Sequence, residues 1–189
     1  MSVDLFRSTL ADTIALHEQV RTGDPAPIIG AADAIIRSLR GGGKLLVFGN
    51  GGSAADAQHV ASELVNRFER ARGALAAIAL TTDASVVTSV ANDDAFARVF
   101  ARQIDALGRE GDVALGISTS GASENIVAAL EAARRKRLQT IALTGRDGGA
   151  VGQAAEIHVN VPDQNTARVQ EVHRTLLHVM CEVIESDAR

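Results

Sequence analysis

The sequence predicts an α/β fold: a three-layer sandwich with a five-stranded parallel sheet, preceded by N-terminal helices. Three observations predict it. Five short apolar runs alternate with segments of helical period, the order that sets parallel strands side by side with crossover helices on both faces. The runs are almost continuously apolar, as strands buried on both faces are. Finally, 189 residues with 46% hydrophobic content suit one domain with a substantial core, residues 1–189, rather than two.

The elements follow in order. Val3, Phe6, Leu10 and Ile14 recur at helical spacing, as do Ile28, Ile29, Ala32, Ile35, Ile36 and Leu39, and Gly41, Gly42 and Gly43 stop the second helix. Strands are expected at 44–48, 75–80, 112–117, 139–143 and 156–161. Helices are expected between them at 53–69, 84–107, 123–137 and, briefly, after Gly148. A last helix over 164–185 carries Val169, Val172, Leu176, Met180 and Val183 on one stripe.

Composition excludes several classes of partner. A formal charge of −4, a pI near 5.7 and scattered Lys and Arg leave no basic footprint, so no nucleic acid is expected. No run approaches the roughly 20 apolar residues that span a bilayer, so no membrane is expected. Cys181 is alone, which rules out an intramolecular disulfide or a cysteine zinc cluster and points to a cytoplasmic location. Residues 1–21 include acidic side chains and lack the basic start and apolar core of a signal peptide.

In open parallel sheets ligands bind beyond the carboxyl ends of strands, where loops enter helix N-termini. Two loops stand out there. Gly49-Asn50-Gly51-Gly52-Ser53 lets backbone N–H groups approach a ligand, with Ser53 expected to cap the following helix. Ser118-Thr119-Ser120-Gly121-Ala122-Ser123 places hydroxyl donors beside a second helix N-terminus, which suits a phosphate. Gly and Ser also make ordinary turns, but two such loops on one sheet favour a phosphorylated ligand. Gly49-x-Gly51-x-x-Ala54 formally fits a dinucleotide fingerprint, yet the acidic residue it needs at the end of the second strand, about 20 residues on, is missing. Asp83 stands 29 residues after Ala54. No P-loop sequence occurs either.

His59 and Glu63 lie four apart, on one helix face directly after the first loop. Elsewhere such a pair is commonly an ordinary surface pair. The last helix adds Gln170, Glu171, His173 and His178, and polar groups in so apolar a helix need partners if buried. His178 alone would be read as a structural histidine. With His59 and Glu63 it could instead complete a two-histidine, one-carboxylate zinc site with an open position.

GNGGSAADAQH, ALTTDASVVTSVAND, STSGASENI, ALTGRDGG and TARVQEVH together resemble the bacterial phosphoheptose isomerases, sedoheptulose 7-phosphate isomerases of the SIS fold, a flavodoxin-like arrangement. The similarity runs from about residue 30 to near the end of the chain. It implies conversion of D-sedoheptulose 7-phosphate into D-glycero-D-manno-heptose 7-phosphate through an enediol. By the resemblance Asn50, Gly51 and Gly52 match the substrate loop, Asn92 and Asp93 a second contact, and Ser118, Thr119, Ser120 and Ser123 the phosphate loop. His59, Glu63, Gln170 and His178 match the metal and catalytic set, with Glu63 as base, His178 as acid, and Gln170 also a substrate contact. The resemblance further implies one zinc per subunit and a homotetramer with active sites at subunit interfaces, with helices in 1–42 serving mainly for oligomer packing.

Two features resist a simple transfer. Gln170 and His178 are eight residues apart, roughly 12 Å along a helix and about 80° around it, so one atom can meet both only by an unusual approach. Asp94 follows Asn92-Asp93 where the family usually has an aromatic, and Ala122 stands where Asn is common, which bears on sugar specificity. The rival expectation is a non-catalytic SIS-fold adaptor, like the replication initiator-associating protein; that adaptor replaces Glu63 and His178, which are present here. An isomerase of another ketose phosphate is the other alternative.

Overall fold

Strands apolar on both faces decide the architecture. The computed structural model describes residues 2–187. Its strands are β1 (Leu45–Gly49), β2 (Ala77–Ala79), β3 (Val113–Ser118), β4 (Gln139–Gly145) and β5 (Ile157–Val161), all parallel in the order β2-β1-β3-β4-β5. Leu45, Val47, Val113, Leu115, Ile117, Ile141 and Leu143 point to one face. Leu46, Phe48, Ala114 and Ala142 point to the other, so each layer of helices has its own core. The amino ends of β1 and β3 are knotted by buried Asp112, which accepts from the Lys44 backbone N–H (3.0 Å), the Lys44 ammonium (2.6 Å) and the Arg109 N–H (2.9 Å).

The first face is covered by α2 (Ala26–Arg40), α3 (Gly52–Val65) and α8 (Thr166–Asp187), with α1 (Ser2–Arg21) outside them against α8. The second is covered by α4 (Ala84–Asp93), a 3-10 turn (Phe96–Arg98), α5 (Ala101–Leu107), α6 (Glu124–Arg135) and α7 (Gly149–Ala154). The expected three-layer sandwich with five parallel strands and preceding helices is what forms.

Three local expectations are corrected. The single helix expected over 84–107 is broken at Asp94 (φ −127°, ψ −94°) and Ala95 (φ −159°), because three consecutive Asn/Asp residues disfavour a helix interior. α3 starts one residue earlier than expected, with Gly51 at the N-cap, and Ser53 is buried inside its first turn rather than capping it. The second strand is three residues long, half of the expected 75–80 run, since it lies at the sheet edge with one neighbour.

Candidate functional site

Strand order reverses between β1 and β3, so the loops leaving them diverge to opposite faces and open a crevice at their carboxyl ends. Gly49 and Ile117 are partners in the register, which sets the two loops level. Asn50 and Asn125 tie them together: each side-chain amide donates to the other's carbonyl, at 2.9 and 2.8 Å. Asn125, buried in the first turn of α6, was not among the residues singled out from sequence.

The loop after β3 is organised around the buried Ser118 hydroxyl, 3.0 Å from that of Ser123 and 3.4 Å from that of Ser120. Ser120 Oγ also accepts from the Ala122 N–H at 3.2 Å. Ser123 is the N-cap of α6 but makes no side-chain cap bond, its hydroxyl being engaged with Ser118. The first N–H groups of α6, of Glu124 and Asn125, therefore have no acceptor among the described residues and face the loop's hollow with the positive end of the helix. Thr119 Oγ1 likewise makes no hydrogen bond among the described residues. At Gly121 (φ +68°) a side chain would lie 2.5 Å from the Gly148 carbonyl oxygen, so the loop packs directly on the backbone before α7. The result is a small cradle of hydroxyls and amides suited to a phosphate, without Lys or Arg.

Beneath the first loop, α3 and α8 run alongside with facing polar stripes. Asp56, His59 and Glu63 recur at helical spacing on α3; Gln170, Arg174 and His178 recur on α8 at intervals of four. Asp56, 0% exposed, accepts from Gln170 at 3.2 Å through one oxygen, and from Arg174 at 3.0 and 2.6 Å through the other. One turn on, His59 Nε2 and His178 Nε2 stand 2.7 Å apart. Glu63 Oε1 lies 3.6 Å from His59 Nδ1. The eight-residue gap is thus spanned by different partners: Gln170 meets Asp56 while His178 meets His59. Gln170 also lies over Gly52, where an added Cβ would be 2.1 Å from its Nε2.

Two imidazole nitrogens at that separation cannot both present lone pairs without a proton or a cation between them. Glu63 beside His59 Nδ1 favours a proton there and leaves Nε2 as the lone-pair nitrogen, the arrangement of carboxylate-backed metal-ligating histidines. Among the described residues no three His, Cys, Asp or Glu side chains converge on one point, and Gln170 is not directed at the histidine pair. The donors His59, His178 and Glu63 nonetheless fit the chemistry of a borderline-soft divalent ion.

Asn92 and Asp93 sit exposed at the end of α4, where the Asn92 amide donates to Asp93 at 2.8 Å; the structure bonds them to no other candidate residue. His173 is fully buried, donates from Nε2 to the Thr144 carbonyl at 2.9 Å, and leaves Nδ1 without a partner. Burial lowers its pKa, against smaller raising effects of the Thr144 carbonyl and Asp56, so it is a neutral strut between α8 and β4. Sequence reading missed Asp56 and Arg174. The available signal was the spacing, since Arg174 lies midway between Gln170 and His178 and Asp56 lies one turn before His59.

Comparison with known proteins gives relatives of one kind at 41% identity and above. The SIS domain family matches residues 10–145. A phosphoheptose isomerase of Aromatoleum aromaticum is 56% identical over 163 residues, covering 85% of this chain and 82% of the relative. The solved structure of phosphoheptose isomerase GmhA from Neisseria gonorrhoeae superimposes with a TM-score of 0.93 at 42% identity, covering 98% of this chain and 100% of that one. That of a phosphoheptose isomerase from Francisella tularensis gives 0.95 at 41%, covering 98% and 99%.

Proposed function

The chain belongs to the phosphoheptose isomerases of the SIS-domain family, and we propose that it interconverts D-sedoheptulose 7-phosphate and D-glycero-D-manno-heptose 7-phosphate. The observation that carries this reading is the pairing of His178 with His59 at 2.7 Å, with Glu63 beside them, directly below a loop that faces a phosphate cradle. A proton-transfer pair and a separate anion site together fit a long sugar phosphate.

In the proposed reaction Ser118, Thr119, Ser120, Ser123 and the first amides of α6 hold the phosphate. Asn50, Gly51 and Gly52, with Asn92, Asp93 and Gln170, hold the sugar. Glu63 removes a proton from C1; the C1–H electrons form the C1–C2 double bond, and the C2 carbonyl oxygen gains a proton. His178 then delivers a proton to C2 as the C1 hydroxyl gives up its own and becomes the aldehyde, so no net proton is gained. Fixing the phosphate keeps C1 within reach of the base, and orientation of this kind is a large part of the rate. His59, Glu63 and His178 would hold one zinc per subunit, which when bound would polarise the substrate carbonyl. Gln170 is the proposed fourth ligand, and it would have to leave Asp56 to serve.

A homotetramer with sites at subunit interfaces, in the cytoplasm, completes the reading. Its support is α1, where only Leu16 is buried while Leu5, Phe6 and Ile14 are 69%, 64% and 68% exposed. No described helix is long and apolar enough to cross a membrane. A coupled assay with sedoheptulose 7-phosphate on protein sized by light scattering tests the activity, the zinc and the number of chains. Turnover by a particle of four chains, lost on chelation and restored by zinc, is expected. Absence of turnover with added zinc would overturn the isomerase reading, and turnover indifferent to a chelator would overturn the zinc assignment alone.

A further inference from the structure

Glu185 lies two helical turns beyond His178 on α8, buried, and nothing in the proposed chemistry uses it. Its carboxylate accepts three successive backbone N–H groups from the segment that follows α3: Phe68 at 3.0 Å, Glu69 at 2.9 Å and Arg70 at 2.8 Å. Successive N–H groups pointing to one place form a nest that requires an anion, which an apolar or neutral side chain would leave unsatisfied. The Arg72 guanidinium lies against the same carboxylate, with Nε 3.3 Å from Oε1 in ionic contact but without an aligned hydrogen bond. Both side chains are nearly inaccessible, at 5% and 4% exposure.

The far side of Arg72 reaches the catalytic helix. It donates to the Glu63 carbonyl at 2.7 Å and to the Leu64 carbonyl at 2.8 Å, satisfying the open C-terminal carbonyls of α3. Phe68, whose N–H is held by Glu185, lays its ring against His178, with centroids 5.4 Å apart. One carboxylate on α8 therefore fixes the backbone of Glu63 through Arg72 and the ring of His178 through Phe68.

We propose that Glu185 and Arg72 are positioning residues: a clasp that sets the spacing of α3 against α8 and so holds Glu63 and His178 in register for proton transfer. This rests on the isomerase reading for its kinetic consequence, but its structural consequence does not. The two helices carry half of the centre each, and nothing covalent near the site fixes their distance. A displacement of about 1 Å at a reacting pair can cost on the order of 100-fold in rate.

The test compares the parent, Glu185→Gln, and Arg72→Lys, which leaves the anion in its nest and removes the guanidinium's paired bonds to the Glu63 and Leu64 carbonyls. For each, kcat and KM are measured per folded subunit, and the ring signals of all histidines are followed by NMR on metal-free protein. The expected result is a fall in kcat of about ten- to a hundredfold with KM within about threefold, together with shifted His59 and His178 signals and an unshifted His158 signal. Where Glu185→Gln fails to fold, Arg72→Lys, which keeps the nest satisfied, carries the same two readouts. Unshifted His59 and His178 signals in a folded variant, or kcat within twofold of the parent, would overturn the clasp. An inactive parent whose variants still shift those two histidines would count against the isomerase reading and support the clasp.

Discussion

The proposed phosphate cradle and the histidine centre are built in opposite ways. Residues 118–123 make the cradle from a contiguous stretch, with hydroxyl bonds spanning two to five residues and a helix N-terminus supplied by the same segment. The centre joins His59 to His178 across 119 residues, and two helices that share no covalent neighbour must arrive in register. A local site can be damaged one group at a time. A site assembled at long range fails through its supports as readily as through its own side chains.

The largest expected effect breaks the comparison at the centre. Glu63→Gln keeps shape and removes the proposed base, so kcat should fall by roughly 10²- to 10⁴-fold, the usual contribution of a positioned base, with the cradle and KM for the phosphate end little altered. Near-normal turnover would remove Glu63 from the mechanism. A smaller effect is expected at the cradle. Thr119 Oγ1 has no protein partner among the described residues, so Thr119→Val should leave the loop intact and weaken binding by about 1.5–3 kcal/mol, a ten- to hundredfold rise in KM with kcat nearly unchanged. An unchanged KM in steady-state kinetics would show that the hydroxyl does not meet the phosphate.

The smallest effect concerns the buried strut between α8 and β4. His173 is buried neutral, and its folded pKa is lowered chiefly by burial. The unfolded chain therefore takes up a proton near the ordinary histidine value of about 6.5 while the folded one does not. Its contribution to stability is complete above that pH and drains away as the pH falls toward the depressed folded value. Denaturant midpoints should drop on acidification below about pH 6.5, and His173→Gln, which can still donate to Thr144, should flatten that slope. His158, lowered by burial in the same direction, would leave a residual slope. Equal slopes in parent and variant would exclude His173 as its source.

What was legible in the sequence follows the same division. Strand alternation, both ligand loops and the order of elements are local patterns, and they appear in the fold with shifts of a few residues at their ends. The break at Asp94 was hidden because the apolar period continues through Val90, Ala91 and Phe96 while three polar residues interrupt the helix. Asp56 was hidden for a different reason. A lone aspartate among alanines carries no mark of burial until Gln170 and Arg174 arrive from 114 and 118 residues away. The eight-residue interval between Gln170 and His178 was the one trace of that seam: an interval wrong for a single ligand-holding point and right for two successive contacts along parallel helices. Glu185 left no trace at all, since its hydrogen-bond partners are backbone N–H groups.

The paired amides of Asn50 and Asn125 have a mechanical consequence. Parting the strands at the crevice would break two part-buried hydrogen bonds, each worth about 0.5–1.5 kcal/mol. The slot between β1 and β3 is thus of fixed gauge. Whatever motion admits a seven-carbon chain falls instead to the flank, where α4 has no fully buried residue and yields at the least cost.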